Sequence, residues 1–288
     1  MQTYFDIIKK ILEKGHRTEN RTGIDTIAYA GVQFEHDMAE GFPLLTSKKI
    51  PFRLITTENE LFIQGITDKR WLQERNNPIW NEWCSPDVVP YGHDEETKAK
   101  MEAERELGPI YGWQWRHFGA KYKGYDQDYS GEGFDQLENI VNTLKTNPSD
   151  RRMVVSTWNP LDIPHMALPT CHYGFQVNVT GDKLNLAWNQ RSVDSALGLP
   201  FNIAGYGLIL HLLAKESGFE EGRLIGNLMD THIYVNHIEG LEEQMSRDLR
   251  PLPKVETENF TSIFDWKNTD SKIIGYKPHP RIKFEVAV

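Results

Sequence analysis

The stretch Met166–Val177, MALPTCHYGFQV, carries the residue type best suited to covalent chemistry: a cysteine, Cys171, followed directly by His172. A thiol ordinarily titrates at about 8.5 and becomes a nucleophilic thiolate at neutral pH only where cations stand close by. The sequence supplies candidates in Arg151 and Arg152 upstream and Arg191 downstream. A lone cysteine in a β pattern is equally a good small hydrophobe for a core, so composition leaves both readings open. On a regular strand His172 is not the base of Cys171, because successive side chains project from opposite faces. That separates the pattern from a cysteine protease, whose histidine is remote in sequence. His232 and Tyr234 share a strand face, whereas His232 and His237 fall on opposite faces with no third ligand in step, so no metal site is expected.

Regular elements must hold these groups. Phe5, Ile8, Ile11 and Leu12 recur at helical spacing, which predicts an amphipathic helix over 4–13 ended by Gly15 rather than a signal peptide. Helical patterns recur over 57–64 and 131–145, and one over 202–218 is apolar nearly all round and so expected inside. TIAYAGVQFEH, RRMVVSTW, CHYGFQVNVT, KLNLAWNQR, THIYV, IIGY and IKFEVAV are strand patterns, with turns such as TGDK between them. No repeat or long linker divides the chain, so one domain over 1–288 is expected. Helices flanking a large mixed β-sheet in non-alternating order make the fold class α+β.

A chain of 288 residues buries about three quarters of its unfolded surface. Cys84 and Cys171 form no disulfide framework and no CxxC pair, which suits a reducing, cytoplasmic compartment. No apolar run approaches the about 20 residues a bilayer span needs, so no membrane partner is expected. The formal charge of −9 argues against DNA or broad nucleic-acid binding, and any phosphate ligand must be met by a few placed arginines. Gly92 to Leu107 is a charge-rich helical insertion that reads as a solvated surface.

A series of longer motifs runs in order along the chain: RTGIDT (21–26), FPLLTSKK (42–49), IWNEW (79–83), GPIYGWQWR (108–116), DRRMVVSTWNP (150–160), ALPTCHYGFQV, QRSVDSALGLPFNIA (190–204), DTHIYVNH (230–237) and the terminal VAV. Together they resemble the thymidylate synthase family, from Tyr4 to Val288. The resemblance implies a homodimer, with the sheets of two subunits packed back to back. It implies conversion of deoxyuridylate (dUMP) and the cosubstrate 5,10-methylenetetrahydrofolate into thymidylate and dihydrofolate. Cys171 is then the nucleophile that adds to carbon 6 of uracil, splitting one hard step into easier ones. Asn202 reads the base and meets the charge developing at its 4-oxygen, with Glu58 handling protons nearby. His172 and Tyr111 belong to the same hydrogen-bonded shell, Tyr111 assisting removal of the carbon 5 proton. Arg21, Arg191 and Ser192 take the phosphate together with Arg151 and Arg152 of the second subunit, guanidinium being suited to bidentate binding. His232 and Tyr234 take the deoxyribose 3'-hydroxyl. Ile79, Trp80, Leu197, Gly198 and Phe201 form the wall on which the folate stacks, Asp194 bonds its pterin, and Lys48 suits its glutamate tail. The terminal Val286, Ala287 and Val288 close over the ligands and exclude water.

Two positions depart from the pattern. Glu60 stands where the family usually has an apolar residue, and Asn189 where tyrosine is common; pyrimidine hydroxymethylases resemble the chain at both. Such a relative delivers water rather than hydride to the intermediate, so a dUMP hydroxymethylase is the rival reading. On a helix, Glu60 lies two positions from Glu58 and is expected to point elsewhere. Gly205 and Gly207 replace residues that are commonly Ser and Ala, which bears on local packing. A more distant rival is an inactive RNA-binding regulator.

Overall fold

The computed structural model describes residues 1–20 and 23–286. The helices among them are α1 (Gln2–Lys14), α2 (Phe52–Ile63), α3 (Lys69–Gln73), α4 (Glu95–Ala103), α5 (Tyr111–His117), α6 (Gln136–Thr146), α7 (Gly198–Ser217) and α8 (Ile238–Met245). The strands are β1 (His16–Thr18), β2 (Thr26–Asp37), β3 (Val154–Ser156), β4 (His172–Thr180), β5 (Lys183–Asp194), β6 (Glu220–Tyr234), β7 (Lys254–Thr257) and β8 (Ser271–Ile274). Six of them form one mixed sheet in the order β1-β2-β6-β5-β4-β3, antiparallel throughout except for the parallel pair β5 and β6. A parallel pair needs a crossover, and α7 supplies it. The fold is α+β, as expected.

Alternation in β5 decides what the sheet buries. Leu184, Leu186, Trp188 and Gln190 point into the core, while Lys183, Asn185, Ala187 and Asn189 point out. The inner face is covered by α1 and by α7, whose apolar residues from Leu199 to Ala214 are almost all buried. Helix α7 begins at Gly198, four residues before the expected start, because Pro200 is tolerated in a first turn whose N–H groups have no intrahelical partner. Helix α2 likewise begins earlier, after Pro51.

THIYV turns out to be only the end of the fifteen-residue strand β6. Gly222 and Gly226 break its sequence pattern, and Gly226 has a packing reason: a Cβ there would lie 2.4 Å from the Trp188 ring. IKFEVAV is not a strand over its described residues, 282–286; its backbone runs irregularly beside α8, and the carbonyl of Glu285 accepts from His237 Nε2 at 2.7 Å. The charged insertion contains α4, largely exposed apart from buried Met101.

Candidate active site

The site is built around the turn that feeds β4. The Cys171 amide donates to Tyr111 Oη at 2.8 Å, and its carbonyl accepts from the Arg191 amide at 2.9 Å. The guanidinium of Arg191 donates to the carbonyls of Thr170 (2.9 Å) and Pro169 (2.7 Å), which brings Nη2 to 3.8 Å from Cys171 Sγ. A cation fixed beside sulfur is the setting in which a cysteine becomes reactive. Cys171 and His172 do not diverge to opposite faces, as strict alternation would have it; both line one cavity of about 410 Å³. The reason is local: β4 begins only at His172, and its register with β5 shifts between His172 and Gly174.

Glu58 lines the same cavity from α2 and accepts from Trp80 Nε1 at 2.8 Å. Burial pushes its pKa up to about 7, opposed in part by that indole bond, so carboxyl and carboxylate coexist near neutrality. His172 stacks on Tyr111, with ring centroids 4.2 Å apart, and its Nδ1 pairs with the Tyr206 hydroxyl at 2.8 Å. Burial pushes the imidazole down to about 3, which keeps it neutral at working pH. Burial also holds the Tyr111 and Tyr206 phenols well above their ordinary range, so both remain protonated.

Asn202, in the first turns of α7, is oriented by Gln190, whose Nε2 donates to Asn202 Oδ1 at 3.0 Å. Gln190 is in turn held by Trp188 Nε1, which donates to its Oε1 at 3.0 Å. Sequence reasoning missed Gln190 and Tyr206. The signal for Gln190 was present, since it is a polar residue at an inward, buried position of an alternating strand.

Ile79 and Trp80 line the opposite wall with Leu197, Gly198 and Phe201, and Trp83 joins them. Ser192, Asp194, Tyr234 and Val286 also face the cavity. Ser192 Oγ donates to Asp230, while Asp194 accepts from the amides of Ala196 (2.8 Å) and Leu197 (3.2 Å). His232 sits 3.5 Å from Asp230 and edge-on to Tyr234, and its bond holds the Asp230 carboxyl below the usual range.

Two groups of expected residues fall elsewhere, and a third is not described. Lys48 does not reach solvent: it is buried, donates to the Ala196 carbonyl at 2.5 Å and lies 4.3 Å from the Phe284 ring centre, and burial pushes its pKa down to about 7. Arg151 and Arg152 are exposed and do not line the chain's own cavity; Arg152 forms a two-pronged pair with Asp150. Arg21, Ala287 and Val288 lie outside the described residues.

Neither departure from the family pattern lines this cavity. The Glu60 carboxylate faces away from Glu58, accepting from the amide N (2.9 Å) and Nδ2 (2.6 Å) of Asn268. Asn189 lies on the sheet's outer face, in an amide row where Asn227 donates to Asn189 at 3.1 Å and Gln33 to Asn227 at 3.0 Å. A carboxylate and an amide at these sites are thus used for packing rather than for holding a reactive water.

The sequence pattern of the family described as thymidylate synthase matches residues 2–288. Human thymidylate synthase is 42% identical over 286 residues, covering 99% of this chain and 90% of that relative. The bifunctional dihydrofolate reductase-thymidylate synthase of Paramecium tetraurelia is 40% identical over 285 residues, which is 99% of this chain and 61% of that longer relative.

Proposed function

The chain belongs to the thymidylate synthase family and makes thymidylate; we propose that it does so from dUMP and 5,10-methylenetetrahydrofolate with its own residues in the following roles. The Cys171 thiolate, with the Arg191 guanidinium beside it, bonds to carbon 6 of uracil, and the displaced π electrons move to the 4-oxygen. Asn202, held by Gln190, accepts from the ring N3–H and donates to that oxygen as its charge grows. Glu58, poised near neutrality, moves the proton there, and Tyr111 assists loss of the carbon 5 proton. The reduced folate supplies the one-carbon unit and then a hydride. Ile79, Trp80, Leu197, Gly198 and Phe201 stack it against the nucleotide, and Asp194 bonds its pterin. Cys171 leaves as the carbon 5–carbon 6 double bond reforms. Arg21 joins Arg191 and Ser192 at the phosphate, His232 and Tyr234 take the sugar hydroxyl, and Ala287 and Val288 complete the closing segment begun by Val286.

A second copy of the chain completes the site. The outer face of the sheet exposes Val154, Tyr173 and Met229, and covering it with the same face of a partner buries all three. Arg151 and Arg152, idle in their own subunit, then serve the partner's phosphate. Because Lys48 is occupied by Ala196 and Phe284, it acts on the folate's tail only when the terminal segment moves. A reducing cytoplasm suits the half-buried reactive thiol.

The observation that carries this reading is the Arg191 guanidinium beside Cys171 in the cavity that also holds Asn202 and Glu58. Hydride rather than water ends the reaction, since Glu60 and Asn189 both face away. Turnover of dUMP with methylenetetrahydrofolate is expected to generate dihydrofolate absorbance and a product heavier by one methylene group. A product carrying an extra oxygen, without dihydrofolate, would overturn it.

A further inference from the structure

Lys69, the first residue of α3, is fully buried, and its ammonium is met by three backbone carbonyls from two distant segments rather than by a carboxylate. Nζ donates to Asn81 O at 3.1 Å, Trp83 O at 2.8 Å and Met101 O at 2.5 Å. Met101 lies in the last turn of α4, where carbonyls lack intrahelical partners and the helix dipole favours a cation. Asn81 and Trp83 belong to the irregular stretch whose side chains Ile79, Trp80 and Trp83 line the cavity. Gln73, one turn along α3, repeats the bridge, donating to Glu102 O and Asn81 Oδ1 at 3.3 Å each. The ring of Trp83 also lies parallel to Tyr91, at 5.9 Å and 10°, just before the charged insertion. Lys69 thus ties the Trp83 backbone to the insertion at Met101, and Tyr91, which leads into the insertion, stacks on the Trp83 ring.

We propose that Lys69 is a positioning residue for the folate, and that the 92–107 segment is a buttress setting the position of the Trp80–Trp83 wall. The inference rests on the folate reading of that wall. The Lys69 ammonium is what draws three neutral carbonyls together, so its removal loosens the wall against the insertion, leaving the weaker Gln73 bridge, without touching the Gln190–Asn202 side.

The test uses the full-length enzyme with dUMP and methylenetetrahydrofolate. Lys69→Met is expected to raise KM for the folate about tenfold while leaving dUMP affinity within about twofold. Tyr91→Ala, a change at a half-exposed ring, is expected to raise the same KM about threefold with an unchanged melting temperature. Trp80→Ala serves as the reference for the wall itself. If Trp80→Ala raises the folate KM and both other variants leave it within about twofold, the buttress is wrong and the folate reading stands. If Trp80→Ala has no effect either, the folate reading fails and takes the proposal with it. A parallel loss of dUMP and folate affinity in Lys69→Met reduces Lys69 to a general packing role, and if that variant does not fold, Tyr91→Ala decides.

Discussion

The two walls of the cavity are made in different ways. On the nucleotide side, Trp188, Gln190 and Asn202 form a relay of side-chain bonds carried entirely by β5 and the start of α7, with Tyr206 stacked on Trp188 at 5.3 Å and 8°. On the side assigned to the folate, Gly198 and Phe201 stand on α7, but the rest of the wall is irregular backbone whose carbonyls are held by side-chain donors. Lys69 holds Asn81, Trp83 and Met101; Lys48 holds Ala196; Arg247 donates to Ser47 O and Pro280 O at 2.8 Å each; His237 takes Glu285 O. Regular elements satisfy their own backbone, so their side chains are free to be preorganised for a ligand. Loops leave carbonyls over, and long cationic side chains pin them. On the function proposed above, the rigid side reads the base and the side whose pins can be released receives the larger, flatter partner.

Four perturbations test that contrast, beginning with the largest. Cys171→Ser should cut kcat by at least about 10⁴-fold, because covalent activation is lost on the rigid side, while dUMP still binds; product analysis and equilibrium dialysis read the two separately. Glu58→Gln should lower kcat by about a hundredfold. The raised pKa of Glu58 also fixes two signs. As an acid it loses its proton as pH rises through about 7, so exchange of the dUMP carbon 5 proton should fall off above that pH in the native enzyme and lose this limb in the variant. In the folded chain Glu58 keeps a proton that the unfolded chain releases at its ordinary value of 4.5, so its contribution to stability falls as pH rises from there through about 7. Glu58→Gln should consequently melt higher than the native protein at pH 8 and show no such gain at pH 4.

Gln190→Leu keeps the fold's volume but removes the donor that sets the Asn202 amide. It should lower kcat/KM for dUMP about tenfold and weaken discrimination against the cytosine nucleotide, with folate KM unchanged. Phe284→Ala is the counterpart on the pinned side: by removing the ring that anchors the terminal segment on His237 and Lys48 it should raise folate KM about threefold and spare dUMP. A crossed result, in which Gln190→Leu moves only folate or Phe284→Ala moves only dUMP, would dissolve the division between the walls.

Much of the rigid wall was legible beforehand. Strand β5 could be read because its apolar and polar residues alternate without interruption, and α7 because it is apolar on every side. Strand β6 was mostly hidden, since Gly222 and Gly226 remove the alternation, the second of them to admit the Trp188 ring. The fate of the terminal IKFEVAV stretch was misread for the opposite reason: its apolar residues are spaced like a strand, yet Phe284 packs on His237 and beneath it lies Lys48, so side-chain anchors replace a ladder. Asn202 could be named as a candidate base reader from its motif, whereas Gln190 showed only as a polar residue at an inward strand position, and the partner that gives it a role, Asn202, lies across the helix start.

By itself the sequence determined the family, through long motifs in order along the chain, and with it the candidate groups for the chemistry: a cysteine with arginines, a carboxylate, an amide and an apolar wall. Only the tertiary structure decided where each points. A shifted register at the head of β4 brings Cys171 and His172 into one cavity, the packing of Asn268 turns Glu60 out of it, and an outer-face amide row removes Asn189. Those outcomes depend on contacts between segments far apart in the chain, and such contacts leave no periodicity in the order of the residues.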